Sequence, residues 1–197
     1  MVEIIFKENK LRERTVKSID EILDISFGYL KEHGLENTSI RDLAQETGMS
    51  LGSIYYWFES KDDLIINSIK YGLSKSSLRI FSHAFETIGN LEMFIENIMN
   101  IINEEQKSLR IVFQAATSPI YGDIIRKNAQ PLNSSYDECI EILANNINAS
   151  YEEVKPVVYL FVATVLDYVV WDDYKFSKSQ LEYLYSILLS KMNTGRK

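Results

Sequence analysis

The sequence predicts an all-α chain of about nine helices, in which a three-helix N-terminal part holding a helix-turn-helix precedes a larger helical part. Three observations predict this. Only eight Gly and three Pro occur in 197 residues, which leaves long uninterrupted elements. Apolar residues recur at three- and four-residue steps, and no segment shows strand-like alternation. Ser-led capping patterns, with an acidic residue or Gln three positions on, stand before apolar stripes at Ser39, Ser60, Ser150 and Ser177.

Residues 1–14 read as an arm. The first helix covers roughly Arg14 to His33 with the stripe Ile19, Ile22, Leu23, Phe27 and Leu30, and Gly34 ends it. Ser39 caps the second helix with Asp42 at the box position. That helix carries Leu43 and Ala44 and stops at Gly48, which tolerates the left-handed backbone of a tight turn. Ser50 caps a short third helix with Ile54, Tyr55 and Phe58. Ala44 is small where the two helices cross, and Met49 and Ile54 are apolar where the third leans on the second. This is a helix-turn-helix. An ordinary helical hairpin explains the same residues. The run Tyr55-Tyr56-Trp57-Phe58 favours a binding role, because a core uses some of these aromatics but not four in a row.

The fourth helix runs from Lys61 to about Phe85, with Leu64, Ile65, Ile69, Leu73, Leu78, Phe81 and Phe85. Gly72 in its middle costs about 1 kcal/mol relative to Ala. Close packing by a neighbour is the preferred reason, and a soft point between two domains the alternative. Asn90 caps a fifth helix, Leu91 to Glu105, and a sixth covers Lys107 to Thr117. Another helix opens at Ser118-Pro119 and stops before Pro131. The seventh covers Leu132 to Ile147. Ser150 and Glu153 box the start of the eighth, where Pro156 bends the first turns. From Val157 to Trp171 it is apolar almost all round and needs cover on more than one side. Residues 172–175 read as a loop, Ser177 and Gln180 open the ninth helix, and residues 193–197 form a polar tail.

Composition narrows the function. One cysteine, Cys139, excludes an internal disulfide framework and fits a reducing cytoplasm. Two histidines, His33 and His83, lack a close partner, so no metal site is expected. With no nucleophile elbow and no Gly-rich phosphate loop, neither an enzyme nor a cofactor is expected. The first residues are too short and charged an apolar patch for a signal peptide, and no apolar run approaches the ~18 residues of a bilayer span. No membrane partner is therefore expected. Net charge is −7. Residues 1–75 hold ten Lys and Arg against thirteen Asp and Glu. Within residues 7–17, five cations face two acids, a local basic stretch suited to phosphate.

Residues 22–64 resemble the N-terminal domain of the TetR/AcrR family of transcriptional regulators. Ile22-Leu23, Tyr29-Leu30 and Gly34 match that family's first helix, and Thr38-Ser39-Ile40 with Leu43-Ala44 its second. Gly48-Met49-Ser50, Gly52-Ser53-Ile54-Tyr55 and Phe58-Glu59-Ser60-Lys61 match the turn, the recognition helix and the start of the fourth helix. Ile25-Ser26 stand where two alanines are usual, and Trp57 where Tyr or His is common.

The resemblance implies a helix-turn-helix DNA-binding domain, residues 1–60, and a helical effector-binding and dimerisation domain, residues 61–197, with the fourth helix as connector. It implies a cytoplasmic repressor that binds palindromic double-stranded operator DNA as a homodimer and is released by a small apolar or amphipathic effector. Ser39, Arg41, Ser50, Leu51, Gly52, Ser53, Tyr55, Tyr56 and Lys61 would lie on the DNA side, with Tyr56 and Lys61 as phosphate anchors. Arg41 as a solvated cation and Tyr55 as a largely core ring remain open. Phe113, Gln114, Tyr159, Tyr168 and Trp171 could line an effector pocket that mixes apolar walls with few polar groups. Ordinary packing explains each of them singly. Asp167, Tyr168, Trp171 and Asp172 could hold an organic cation, and a solvated loop end explains them equally. A helical adaptor without DNA binding is the alternative reading of the whole chain.

Overall fold

The computed structural model describes residues 18–127 and 129–194. Among these, nine helices and no strand occur. They are α1 (Ile19–His33), α2 (Ile40–Thr47), α3 (Leu51–Trp57), α4 (Lys61–Glu86), α5 (Leu91–Thr117), α6 (Gly122–Lys127), α7 (Ala129–Ile147), α8 (Tyr151–Trp171) and α9 (Tyr174–Thr194). The chain divides into two compact units, Met1–Gly72 and Leu73–Lys197. The basic stretch expected to serve phosphate, residues 7–17, and the arm at 1–14 lie outside the described residues.

In the N-terminal unit α1 begins at Ile19, later than the Arg14 expected. Ser18 is extended, and its hydroxyl accepts from the Glu21 amide at 3.2 Å while the Glu21 carboxylate accepts from the Ser18 amide at 2.9 Å. This reciprocal box fixes the first turn. Ile22, Leu30, Leu43, Ile54, Leu64 and Ile65 form a fully buried centre. The division between units falls inside α4, at Gly72, rather than at residue 61. The packing of Gly72 supplies the reason. A Cβ added there would lie 2.2 to 2.4 Å from three atoms of the Phe27 ring. Only a glycine lets that ring lie against the α4 backbone, so the first half of α4 packs as part of the N-terminal unit.

In the C-terminal unit the expected fifth and sixth helices are one, α5. Glu105, read as a helix end, is buried, and its carboxylate accepts from Ser76 Oγ at 2.7 Å and from Arg79 at 2.6 Å. Burial pushes this carboxyl up, but the hydrogen bonds from Ser76, Arg79 and Ser108 outweigh it and hold it below the usual range. Satisfied from α4, the charge passes through the middle of a helix without breaking it. The helix expected to stop before Pro131 is α6, which ends at Lys127, yet α7 opens at Ala129, ahead of Pro131. That proline is the third residue of α7, where the amide has no intrahelical partner to lose. α7 ends at Asn148, left-handed at φ 54°, whose neighbour Ala149 donates back to the Ala144 carbonyl at 3.0 Å.

α8 packs against α5, α7 and α9. By length and composition it could cross a membrane, with mean hydropathy 1.6 over its most apolar window, contrary to the expectation that no segment came near. Lys155 and Asp167 interrupt the apolar run, but too weakly to lower the average. Val154, Val158, Phe161, Val165 and Val169 bury one face of α8 among its neighbours. α9 opens at Tyr174, three residues before Ser177, because the Asp173 carboxylate accepts from the Phe176 amide at 3.0 Å. Ser177 is therefore inside the helix, where its hydroxyl and the Gln180 side-chain oxygen are buried without hydrogen-bond partners.

Candidate nucleic-acid interface and inner cavity

The turn between α2 and α3 is built by local hydrogen bonds. Ser39 and Asp42 close a capping box, the Ser39 amide donating to the Asp42 carboxylate at 2.9 Å and the Asp42 amide to Ser39 Oγ at 3.2 Å. Those bonds hold the Asp42 carboxyl below its ordinary range. At the other end Gly48 is left-handed at φ 67°, its amide donates to the Gln45 carbonyl at 3.0 Å, and Met49 donates to the Ala44 carbonyl at 2.9 Å. This pair of bonds is the Schellman ending that lets a helix stop and turn within two residues. Ser50 then caps α3, accepting from the Ser53 amide at 3.1 Å, with the two hydroxyls 2.8 Å apart. Buried Ile54 and Phe58 seat α3 on its own unit.

What α3 buries is little, and what it displays is unusual. Leu51, Tyr55, Tyr56 and Trp57 are all exposed, Tyr56 by 78%. Tyr55, at 52%, is not the core ring that remained open from the sequence. Tyr56 and Trp57 meet edge to face at 5.0 Å between ring centres. Trp57 therefore steadies the most exposed aromatic of the helix, a role missed by sequence reasoning although the aromatic run signalled it. Ser39, Arg41, Ser50 and Gly52 are exposed and Ser53 is partly so. With Leu51, Tyr55 and Tyr56 they sit on the two turn-linked helices or their caps, so eight of the nine expected residues fall within one short stretch of surface-bearing structure. Lys61 is half-buried, and its ammonium donates to the Thr38 carbonyl at 3.3 Å, tying the start of α4 to the start of α2. An ammonium has three donors, so this tie leaves capacity for a phosphate. Asp63 accepts from the Glu59 amide at 3.0 Å, and its own amide donates to Ser60 Oγ at 3.0 Å, which closes the entry to α4.

The C-terminal unit does not gather the five expected pocket residues. Phe113 and Gln114 are exposed on α5, Trp171 is 73% exposed at the end of α8, and Tyr159 lies at the surface with its ring edge-on to Tyr136 at 6.1 Å. Tyr168 is buried, its hydroxyl donating to Asn103 at 3.1 Å. Burial first, then the Asp172 carboxylate, raises the Tyr168 phenol. A void of about 80 Å³ lies elsewhere, enclosed by α4, α5, α7 and α8 through Ser77, Phe81, Val112, Tyr136, Phe161 and Val165 among others. None of the five lines it, because face positions in a bundle follow from the packing of four helices and not from residue type. A separate groove of about 510 Å³ runs along the outer side of α8 and α9, between Leu160, Ala163, Asp167, Ser179 and Tyr183. Among the described residues no group of three or more His, Cys, Asp or Glu is placed to hold a metal.

The family model for bacterial regulatory proteins of the tetR family matches residues 22–67, the stretch from α1 to the start of α4. Over that stretch the chain is similar to the N-terminal part of the tetR family of bacterial regulatory proteins. It is 24% identical over 90 residues to the HTH-type transcriptional regulator PksA of Bacillus subtilis, covering 46% of this chain and 44% of PksA. It is 23% identical over 165 residues to IcaR of Staphylococcus aureus, the HTH-type negative transcriptional regulator of the biofilm operon icaADBC, covering 73% of this chain and 79% of IcaR. Among solved structures it is similar to the multidrug binding protein EbrR in complex with imidazole, with TM-score 0.56 and 17% identity over 86% of this chain and 95% of that one. A TetR-family regulator from Mesorhizobium loti gives TM-score 0.57 at 16% identity, covering 87% and 95%. These two likenesses concern the fold.

Proposed function

We propose that the chain is a cytoplasmic repressor that binds a palindromic operator as a homodimer and lets go when a small molecule enters its C-terminal unit. The observation that carries the DNA reading is α3 itself. It is a seven-residue helix on a Schellman turn, seated by two apolar anchors and displaying serines and three aromatics to solvent. Its N-terminal residues meet base edges if it enters a major groove, while Tyr56 and Lys61 hold phosphate. PksA and IcaR are named as transcriptional regulators, and IcaR as a negative one, which supports repression.

Charge argues for a contribution from the N-terminal arm. Residues 18–72 hold four Lys and Arg against ten Asp and Glu, a poor electrostatic partner for DNA. The five cations in residues 7–17 supply what that unit lacks. Dimerisation is supported by the outer groove of α8 and α9, flanked by exposed Leu160 and Tyr183. A second copy would cover it in a four-helix interface. Release is supported by α4, continuous from Lys61 to Glu86, which carries a shift at its second half to its phosphate-binding start. An effector shifts the equilibrium only by its preference for the released form. The test is a gel shift with duplex DNA from upstream of the protein's own gene. A retarded band at dimer stoichiometry supports the reading, and no band across that region at low salt refutes it.

A further inference from the structure

Phe81 lines three neighbouring voids of the C-terminal unit. Two are internal, the void of about 80 Å³ already described and a second of about 20 Å³ among α4, α5, α7, α8 and α9. The third is a surface groove of about 350 Å³ between α4 and α7, bordered by Leu78, Ser82, Glu86, Cys139, Ile142 and Asn146. Neither internal void reaches the ~300 Å³ at the lower end of ligand pockets. The Phe81 ring stands where all three meet, 5.3 Å from the Phe161 ring and 6.1 Å from that of Tyr136. Swinging that one ring to another rotamer would join the groove to the interior.

We propose that Phe81 gates a single channel from the α4–α7 groove into the core, and that its ligand is a neutral, largely apolar molecule with one hydrogen-bonding group that docks on the Tyr136 and Ser77 hydroxyls. This rests on the reading of the C-terminal unit as a small-molecule sensor. Among the described residues no charged side chain lines either internal void, so an ion carried inward loses its water and gains no counter-charge from them. Glu86 at the mouth repels anions as well. Among the described residues the polar side chains of the larger void are Ser77 and Tyr136, which hydrogen-bond each other. Burial raises the Tyr136 phenol, so it stays a donor at neutral pH and can turn to a ligand carbonyl. The resting gate is closed, so the apparent affinity of the parent is reduced by the fraction of molecules that are open.

The test is stopped-flow fluorescence of the full chain, without DNA, using three probes. These are prodan (neutral, with a carbonyl), diphenylhexatriene (a neutral hydrocarbon) and proflavine (a cation). Both neutral probes should enter and proflavine should not. Phe81→Ala should raise the entry rate of prodan by about tenfold or more, since it removes the closed state. Ile142→Trp, at an exposed rim position that leaves the core intact, should slow it. Tyr136→Phe should weaken prodan several-fold and leave diphenylhexatriene unchanged. Entry rates indifferent to both Phe81→Ala and Ile142→Trp would overturn the gate. Uptake of proflavine equal to prodan, or no uptake of any probe by parent and Phe81→Ala alike, would overturn the ligand class. If prodan enters as expected yet leaves the gel-shifted complex intact, the channel stands and the effector reading fails.

Discussion

Adding one methyl group at Gly72 should destabilise the protein, although helix propensity argues the reverse. Replacing Gly by Ala inside a helix is worth about 1 kcal/mol in favour of Ala. Against this stands the geometry of the contact. The new Cβ would come within 2.2 to 2.4 Å of Cε1, Cδ1 and Cζ of Phe27, one whole edge of a ring that is only 5% exposed. The ring cannot turn a flexible tip aside, and the Lys31 ammonium sits 5.2 Å from its centroid. Overpacking of a core costs about 1–3 kcal/mol, and three simultaneous contacts place this case at the upper end. The net for Gly72→Ala is about 1–2 kcal/mol of lost stability, or roughly 2–8 °C in Tm for a chain of this size. Gly28 supplies the control. It lies in α1 with nothing within 4 Å of an added Cβ. Gly28→Ala should therefore hold or raise Tm by the propensity gain alone. Thermal unfolding followed by circular dichroism reads both, and Phe27→Leu combined with Gly72→Ala should recover part of the loss. A Gly72→Ala protein as stable as the parent would refute the close-packing argument.

Three further outcomes are expected. Glu105 has its folded pKa below that of a free carboxyl, so its contribution is present above the unfolded value of about 4.3 and fades as pH falls through the lower folded value. Glu105→Gln should lose about 2 kcal/mol at neutral pH and show a shallower acid limb in urea titrations from pH 7 to 3. The parent should run as a dimer by light scattering, and Leu160→Asp with Tyr183→Asp should give a ~23 kDa species, the chain mass being 22.8 kDa. Neutralising Lys10, Arg12 and Arg14 together should lower operator affinity and reduce the slope of log affinity against log salt by up to about 2.7.

The N-terminal unit was legible because its determinants are local. Ser39 finds Asp42 three residues on, Gly48 ends α2 by bonds to Ala44 and Gln45, and Ser50 finds Ser53. The exposed Tyr56 could be anticipated because Ile54 and Phe58 already satisfy the buried face of so short a helix. The C-terminal unit was less legible because its determinants are distant in sequence. Glu105 looks like a surface charge until Ser76 and Arg79, 29 and 26 residues earlier, are seen to bond it. At α9 two capping signals competed, and Asp173 prevailed over Ser177 by taking the Phe176 amide. The inner void is walled by four helices, so aromatic type alone led to Phe113 and Trp171, which face solvent.

The central claim is that the α2–α3 turn, with the start of α4, grips operator DNA. The most direct measurement is fluorescence anisotropy of a labelled duplex from upstream of the gene, titrated with parent, Tyr56→Ala and Lys61→Ala over a salt series. The parent should bind with a steep inverse salt dependence. Lys61→Ala should bind more weakly at every sequence and flatten the slope by about 0.9, the share of one phosphate contact. Tyr56→Ala should weaken binding without changing the slope, because it removes a neutral hydroxyl and not a charge. If both variants bind the operator as the parent does, with the same slope, the DNA face is not this one.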